Sequence, residues 1–245
     1  MKNNFDFDDL KIVWEDEFLQ PSLDSSKWKK CIWAPGVVNN EVQSYVDDKE
    51  TCITGKGLTI NAIRTDDAWK SCRITTAGLY SWKYGYFEAE IKLPSGNGGI
   101  WPAFWMMSEN GVYGKWPRSG EIDILEYSPS TFGNDVYGTI HYGTGIVDNE
   151  NHFWKNLIRT QLDSVDKKFH KYGLLWTEDK IEFFYDRKSL GSVWERQGKS
   201  NVEWPYDQNF HIILNLAMGG TLGGKIPDDM TIAQMNVNYV RVYSL

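Results

Sequence analysis

Apolar and polar residues alternate along this chain in short runs with a period of two. Leu58 to Ile63 alternates cleanly, and from Tyr86 to Leu93 the residues Phe87, Ala89, Ile91 and Leu93 fall on one face. Such alternation is the pattern of a half-buried strand. Val136 to Tyr142, Lys171 to Thr177, Lys180 to Asp186, Phe210 to Ala217 and Val237 to Tyr243 predict further strands. Helix signals are sparse, and Pro227 to Ile232 predicts only a short turn or helix. Many short strands parted by Gly-marked turns predict an all-β sandwich or jelly roll. Neither linker, low-complexity segment nor internal repeat interrupts the pattern. A single domain over residues 1–245 is therefore expected, a length that one all-β domain commonly reaches.

One strand-like run stands apart: Ser119-Gly120-Glu121-Ile122-Asp123-Ile124-Leu125-Glu126-Tyr127. Glu121 and Asp123 share a face of a regular strand, whereas Glu126 would fall on the other. A β-bulge near Ile124-Leu125 inserts the extra residue that returns Glu126 to the face of its partners. Three carboxylates then line one surface, with Ile122 and a further apolar side chain behind it. Like charges that close cannot all ionise freely, so their pKa values split. One group stays charged while another keeps its proton, which suits an attacking base paired with a proton donor. Glycoside hydrolysis uses two carboxyl groups in that way, about 5–5.5 Å apart in enzymes that retain anomeric configuration. The bland alternatives are a solvated acidic stripe and a divalent-metal site. Interleaved Ile and Leu and Trp-rich flanks argue against the stripe.

Glu121-Ile122-Asp123-Ile124-Leu125-Glu126 resembles the active-site signature of glycoside hydrolase family sixteen. The two residues between Asp123 and Glu126 match the bulged form of the laminarinase-like branch; bacterial lichenases have one residue fewer. Val13 to Phe18, Asn39-Asn40-Glu41, Tyr84 to Glu88, Ile100 to Trp105 and Tyr239 to Tyr243 extend the resemblance over nearly the whole chain. It implies a concanavalin-like jelly roll of two curved antiparallel sheets with a concave substrate cleft, serving as one catalytic domain. It also implies a retaining endo-β-glucanase acting on β-1,3-glucan or mixed-linkage β-1,3-1,4-glucan. Glu121 would be the nucleophile and Glu126 the acid/base, with Asp123 orienting Glu121. Among the family's substrate-binding positions, Trp101 and Trp116 match sugar platforms, and Trp105 serves as platform or packing. Asn40 and Arg73 match residues that hydrogen-bond sugar hydroxyls, and His141 would border the leaving-group side. No cofactor is implied for catalysis. Relatives often hold a structural calcium with an Asp where this chain has Asn238, which ligates without charge.

Composition narrows the partners. A formal charge of −7 argues against nucleic acid and against an anionic membrane surface. It also disfavours sulfated galactans, though agar, carrageenan and xyloglucan remain alternatives to a neutral β-glucan. Twelve Trp and thirteen Tyr supply flat faces as well as core volume; most belong to the core, and a minority would line a groove and stack on the C–H side of a sugar. Cys31, Cys52 and Cys72 give an odd count and no disulfide framework. No apolar run approaches a membrane span, and Met1 to Asp6 lacks the apolar stretch of a signal peptide. Since a polymer-degrading enzyme meets its substrate outside the cell, an extracellular, cell-surface or periplasmic monomer with its targeting segment removed is expected. The rival reading is a non-catalytic glucan-binding jelly roll. It has no use for three crowded acids.

Overall fold

The computed structural model describes residues 6–66, 68–144, 152–161 and 164–245. Two sheets face each other. Numbered along the chain, the larger runs in the order β15 (Lys188–Glu195), β14 (Lys180–Tyr185), β13 (His170–Trp176), β8 (Gly85–Lys92), β17 (Ile232–Ser244), β5 (Leu58–Thr65), β6 (Ala68–Ser71) and β3 (Gln43–Tyr45). β1 (Lys11–Asp16) also pairs with β17, and β4 (Cys52–Ile53) with β5. The second sheet runs β12 (His152–Gln161), β11 (Asp135–Gly143), β10 (Glu121–Tyr127), β9 (Ile100–Ser108), β16 (Phe210–Met218), β7 (Arg73–Thr75) and β2 (Lys29–Lys30). Every pairing is antiparallel except β3 with β6, which is parallel. The architecture is the expected jelly roll.

The core lies between the sheets and is built by the alternation. Phe87, Ala89 and Ile91 of β8 and Leu174 and Trp176 of β13 point inward from the larger sheet. They meet Phe104 and Met106 of β9, Ile122 and Leu125 of β10, Ile140 of β11, and Leu214 and Leu216 of β16. Asp16, at the end of β1, is buried, and its carboxylate accepts from the Phe18 amide at 2.8 Å and the Trp28 indole at 2.9 Å. The Val13 to Phe18 motif is thus structural. A buried carboxylate needs such donors.

Pro227 to Met230 forms a turn, closed by the Met230 amide on the Pro227 carbonyl at 3.1 Å; Ile232 already opens β17. Two single-turn helices, α1 (Pro129–Phe132) and α2 (Gly220–Gly223), carry no sequence signal, because four residues cannot establish a period.

The bulge lies where the acids require it. Along β11, Asp123 pairs with Thr139 and Glu126 with Tyr137; along β9, Asp123 pairs with Trp105 and Leu125 with Phe104. One extra residue thus sits on β10 between Asp123 and Glu126. Both Ile124 and Leu125 are buried while Glu126 rejoins the outer face. Deleting Ile124 should leave a regular strand with all three acids still on one face, at the cost of one core side chain. We expect a folded protein destabilised by about 2–5 kcal/mol, measured by urea unfolding. Loss of the cooperative transition would mean that the bulge itself is obligatory.

Candidate active site

The outer face of the second sheet carries a cleft whose floor comes from β9, β10, β11, β16 and β7. Glu121, Asp123 and Glu126 of β10 line it together with Trp101, Ala103, Trp105 and Met107 of β9, His141 of β11, Asn215 of β16 and Arg73. Trp33, Asn39 and Glu41 from the segment before β3, and Thr221 and Leu222 around α2, form one wall; Trp116 and His152 form another. The alternation that builds the core on one side of these strands builds the cleft on the other.

Each acid has its own partner. The Trp116 indole N–H donates to Glu121 Oε2, and the Trp101 indole N–H donates to Glu126 Oε1 at 3.0 Å. His141 Nε2 lies 2.9 Å from Asp123 Oδ2, within ion-pair range but not aligned as a hydrogen bond. Nδ1 of the same imidazole lies 2.9 Å from Nε2 of His152. Burial and the neighbouring His141 push His152 down to about 4, so it is neutral near neutral pH. One proton bridges the two rings, and the tautomers set which of them donates it.

The carboxyl groups hold their protons unusually well. Burial, reinforced by the charge of Asp123, raises Glu121 to about 8. Burial and then Glu126 hold Asp123 well above the carboxylate range. Burial also raises Glu126, against the pull of His141 and the Trp101 indole. Three like charges in a partly dry cleft cannot coexist, so they titrate as one system.

Beside the acids, Arg73 is buried, with its guanidinium carbon 4.2 Å from the Trp33 ring centroid and 4.8 Å from that of Trp105. Its Nε finds no acceptor among the described residues. The Trp105 indole donates to Asn215 Oδ1 at 2.7 Å, and Asn215 Nδ2 donates to the Tyr45 hydroxyl at 3.1 Å. That hydroxyl donates to Glu41 Oε2 at 3.1 Å. Trp105 is therefore both packed and part of the cleft surface. The Asn pair sits on a turn in the left-handed region, with φ of 52° and 54°, which Asn tolerates. Asn39, rather than Asn40, lines the cleft; Asn40 is exposed beside it.

Residues 25–241 match the sequence profile of glycosyl hydrolases family 16. The chain belongs to that family. A β-glucanase of Rhodothermus marinus is 35% identical over 255 residues, covering 95% of this chain and 85% of the relative. A glucan endo-1,3-β-glucosidase of Cryptopygus antarcticus is 38% identical over 236 residues, covering 89% and 84%. The crystal structure of a laminarinase from Flavobacterium sp. UMI-01 superposes with a TM-score of 0.84 at 35% identity, over 96% of this chain and all of that one.

Asn238 stands where the resemblance implies a structural calcium. It is half-buried on β17, and its Nδ2 donates to Glu90 Oε2 at 2.7 Å. That contact engages the neighbouring carboxylate. Among the described residues, no trio of acidic, His or Cys side chains gathers there. Calcium takes six to eight oxygens, commonly several of them charged, so these side chains do not make up a charged calcium cage.

Sequence reasoning missed Trp33, His152 and Asn215 as cleft residues. Asn215 had a signal, as the lone polar residue within the apolar run Ile212 to Met218. Trp33 and His152 had none, since both reach the cleft from segments without a motif.

The pH dependence of stability follows from Glu121. Its folded-state pKa of about 8 lies above the ordinary 4.5. The folded protein then binds more protons than the unfolded chain between those values, and stability falls as pH rises through the window. Glu121→Gln should flatten that slope and make the protein more stable than wild type at the alkaline end. Urea unfolding across the window measures this; an unchanged slope would refute the crowding.

Proposed function

We propose that this family 16 hydrolase is a retaining endo-β-glucanase that cuts β-1,3-glucan, mixed-linkage β-1,3-1,4-glucan or both, with Glu121 and Glu126 as its catalytic pair. The supporting observation is that both acids project from one face of β10 into a single cleft, each held by a different indole. Glu121 attacks the anomeric carbon as the bond to the leaving oxygen breaks, and Glu126 gives that oxygen its proton. Water then displaces Glu121 while Glu126 takes a proton back. Asp123 shares a proton with Glu121, and the Trp116 N–H stabilises the Glu121 anion in the reactive form.

Charge and surface chemistry support a neutral polymer. Among the described lining residues four are carboxylic acids, Glu41, Glu121, Asp123 and Glu126, and Arg73 is the permanent cation. An anionic polysaccharide would meet repulsion there, whereas indole faces bind neutral sugars by their C–H surfaces. The relatives described above are a β-glucanase, an endo-1,3-β-glucosidase and a laminarinase, which supports glucan. A curved β-1,3 chain follows a concave cleft and lays successive sugars on separate tryptophans. The enzyme acts outside the cell or at its surface, where such polymers are met.

Incubation with laminarin, barley-type mixed-linkage glucan and soluble cellulose tests the reading. Short oligosaccharides should appear early from one or both of the first two, and proton NMR should find retained anomers. Equal or faster cleavage of cellulose, or inverted products, would end it. Glu126→Gln should lower turnover by about 10²–10⁴-fold, and Glu121→Gln by more, with the fold intact. Near wild-type rates in either would overturn the assignment.

Catalysis in this scheme uses side chains alone. Activity should therefore survive a strong chelator whatever the chelator does to the melting temperature. Loss of activity without unfolding would put a metal in the cleft.

A further inference from the structure

β12 is the edge strand beside β11, and register fixes which of its residues face the cleft. Trp154 pairs with His141, and His152 with Gly143. Directly opposed residues of an antiparallel pair project from the same face. His141 faces Asp123, so Trp154 and His152 stand on the cleft side. Phe153 and Lys155 turn the other way: Phe153 stacks on Tyr142, and the Lys155 ammonium lies over Trp194.

The rings on the cleft side form a row. Trp116 and His152 have centroids 4.4 Å apart, and His152 and Trp154 5.5 Å apart. Trp154 ends the row with 61% of its surface exposed, the one tryptophan among the exposed large apolar side chains of the described residues. A single exposed aliphatic residue is ordinary. An indole is a larger apolar surface, and this one continues a lined cleft.

We propose that the cleft continues onto β12, where Trp154 is a stacking platform for a further glucosyl unit of the bound polymer. This rests on the glucanase reading above. The occupant is a neutral sugar, because Trp154 offers a flat apolar face that continues the row of rings in the cleft. Two strand spacings, about 10 Å, separate β12 from the acids of β10. The platform therefore grips a sugar removed from the bond being cut. It acts on chain binding and leaves the chemical step alone.

Rates for wild type, Trp154→Ala and Trp154→Tyr on long laminarin and on a ladder of β-1,3 gluco-oligosaccharides test this. An exposed side chain can be truncated without unfolding, which circular dichroism checks. Trp154→Ala should lose about 3- to 10-fold in kcat/KM on long chains, through KM. On the shortest oligosaccharide that wild type cuts it should match wild type, and Trp154→Tyr should recover most of the loss. No loss on long chains, or an equal loss at every length, would overturn the platform while the glucanase reading stands. If wild type cuts no glucan at all, both fall together.

Discussion

The structure turns on the placement of three carboxylates that repel one another on one short strand. Water would accept them without difficulty, whereas a cleft walled by indoles does not. The single extra residue between Asp123 and Glu126 reconciles the demands of the two faces. It sends Ile124 and Leu125 into the core and returns Glu126 to the outer surface. Neighbouring elements then supply one partner per acid: the loop before β10 brings Trp116, β9 brings Trp101 and β11 brings His141. The three contacts share one frame because all three acids rise from the same face of β10.

A second set of polar contacts secures the cleft from its other side. Trp105, Asn215, Tyr45, Glu41 and Gln43 are joined by successive hydrogen bonds, ending where Gln43 accepts from the Met218 amide at 2.8 Å. Tyr45 and Gln43 lie on β3 of the larger sheet, while Trp105, Asn215 and Met218 belong to the smaller one. The chain of contacts thus stitches the two sheets together beside the cleft. Burial and the adjacent Glu41 hold the Tyr45 hydroxyl protonated, so it remains a donor to that carboxylate. Arg73 is fixed by the same wall, between Trp33 and Trp105.

Much of this was legible in the sequence, and the exceptions have physical causes. β5 and β14 are legible within a residue or two because burial on one face writes a period of two, and β16, buried on both faces, because it reads as a continuous apolar run. β9 was not read as a strand: Pro102 sits in its interior, and proline lacks the amide that a central strand uses. The acidic triplet and its bulge could be read because three charges among Ile and Leu leave no regular solution. His152 could not be read, since its place depends on the β11–β12 register, and register is a property of two strands. Asn39 and Asn40 are neighbours on a left-handed turn, where alternation gives no guidance to which of them meets the cleft.

The indole contacts to Glu121 and Glu126 carry a consequence for how such an enzyme could change. Trp116 and Trp101 line the cleft, where the proposed reading gives their rings to the polymer, while their N–H groups lower the proton affinity of Glu121 and Glu126. In that reading, grip on the sugar and acidity of Glu121 and Glu126 share the same two side chains. A lineage that traded either indole for another ring, to admit a different polysaccharide, would move its pH optimum in the same step. Drift toward new substrates is freer at Trp33 and Trp154, whose rings touch none of the three acids. The cleft has adaptable ends and a conservative middle.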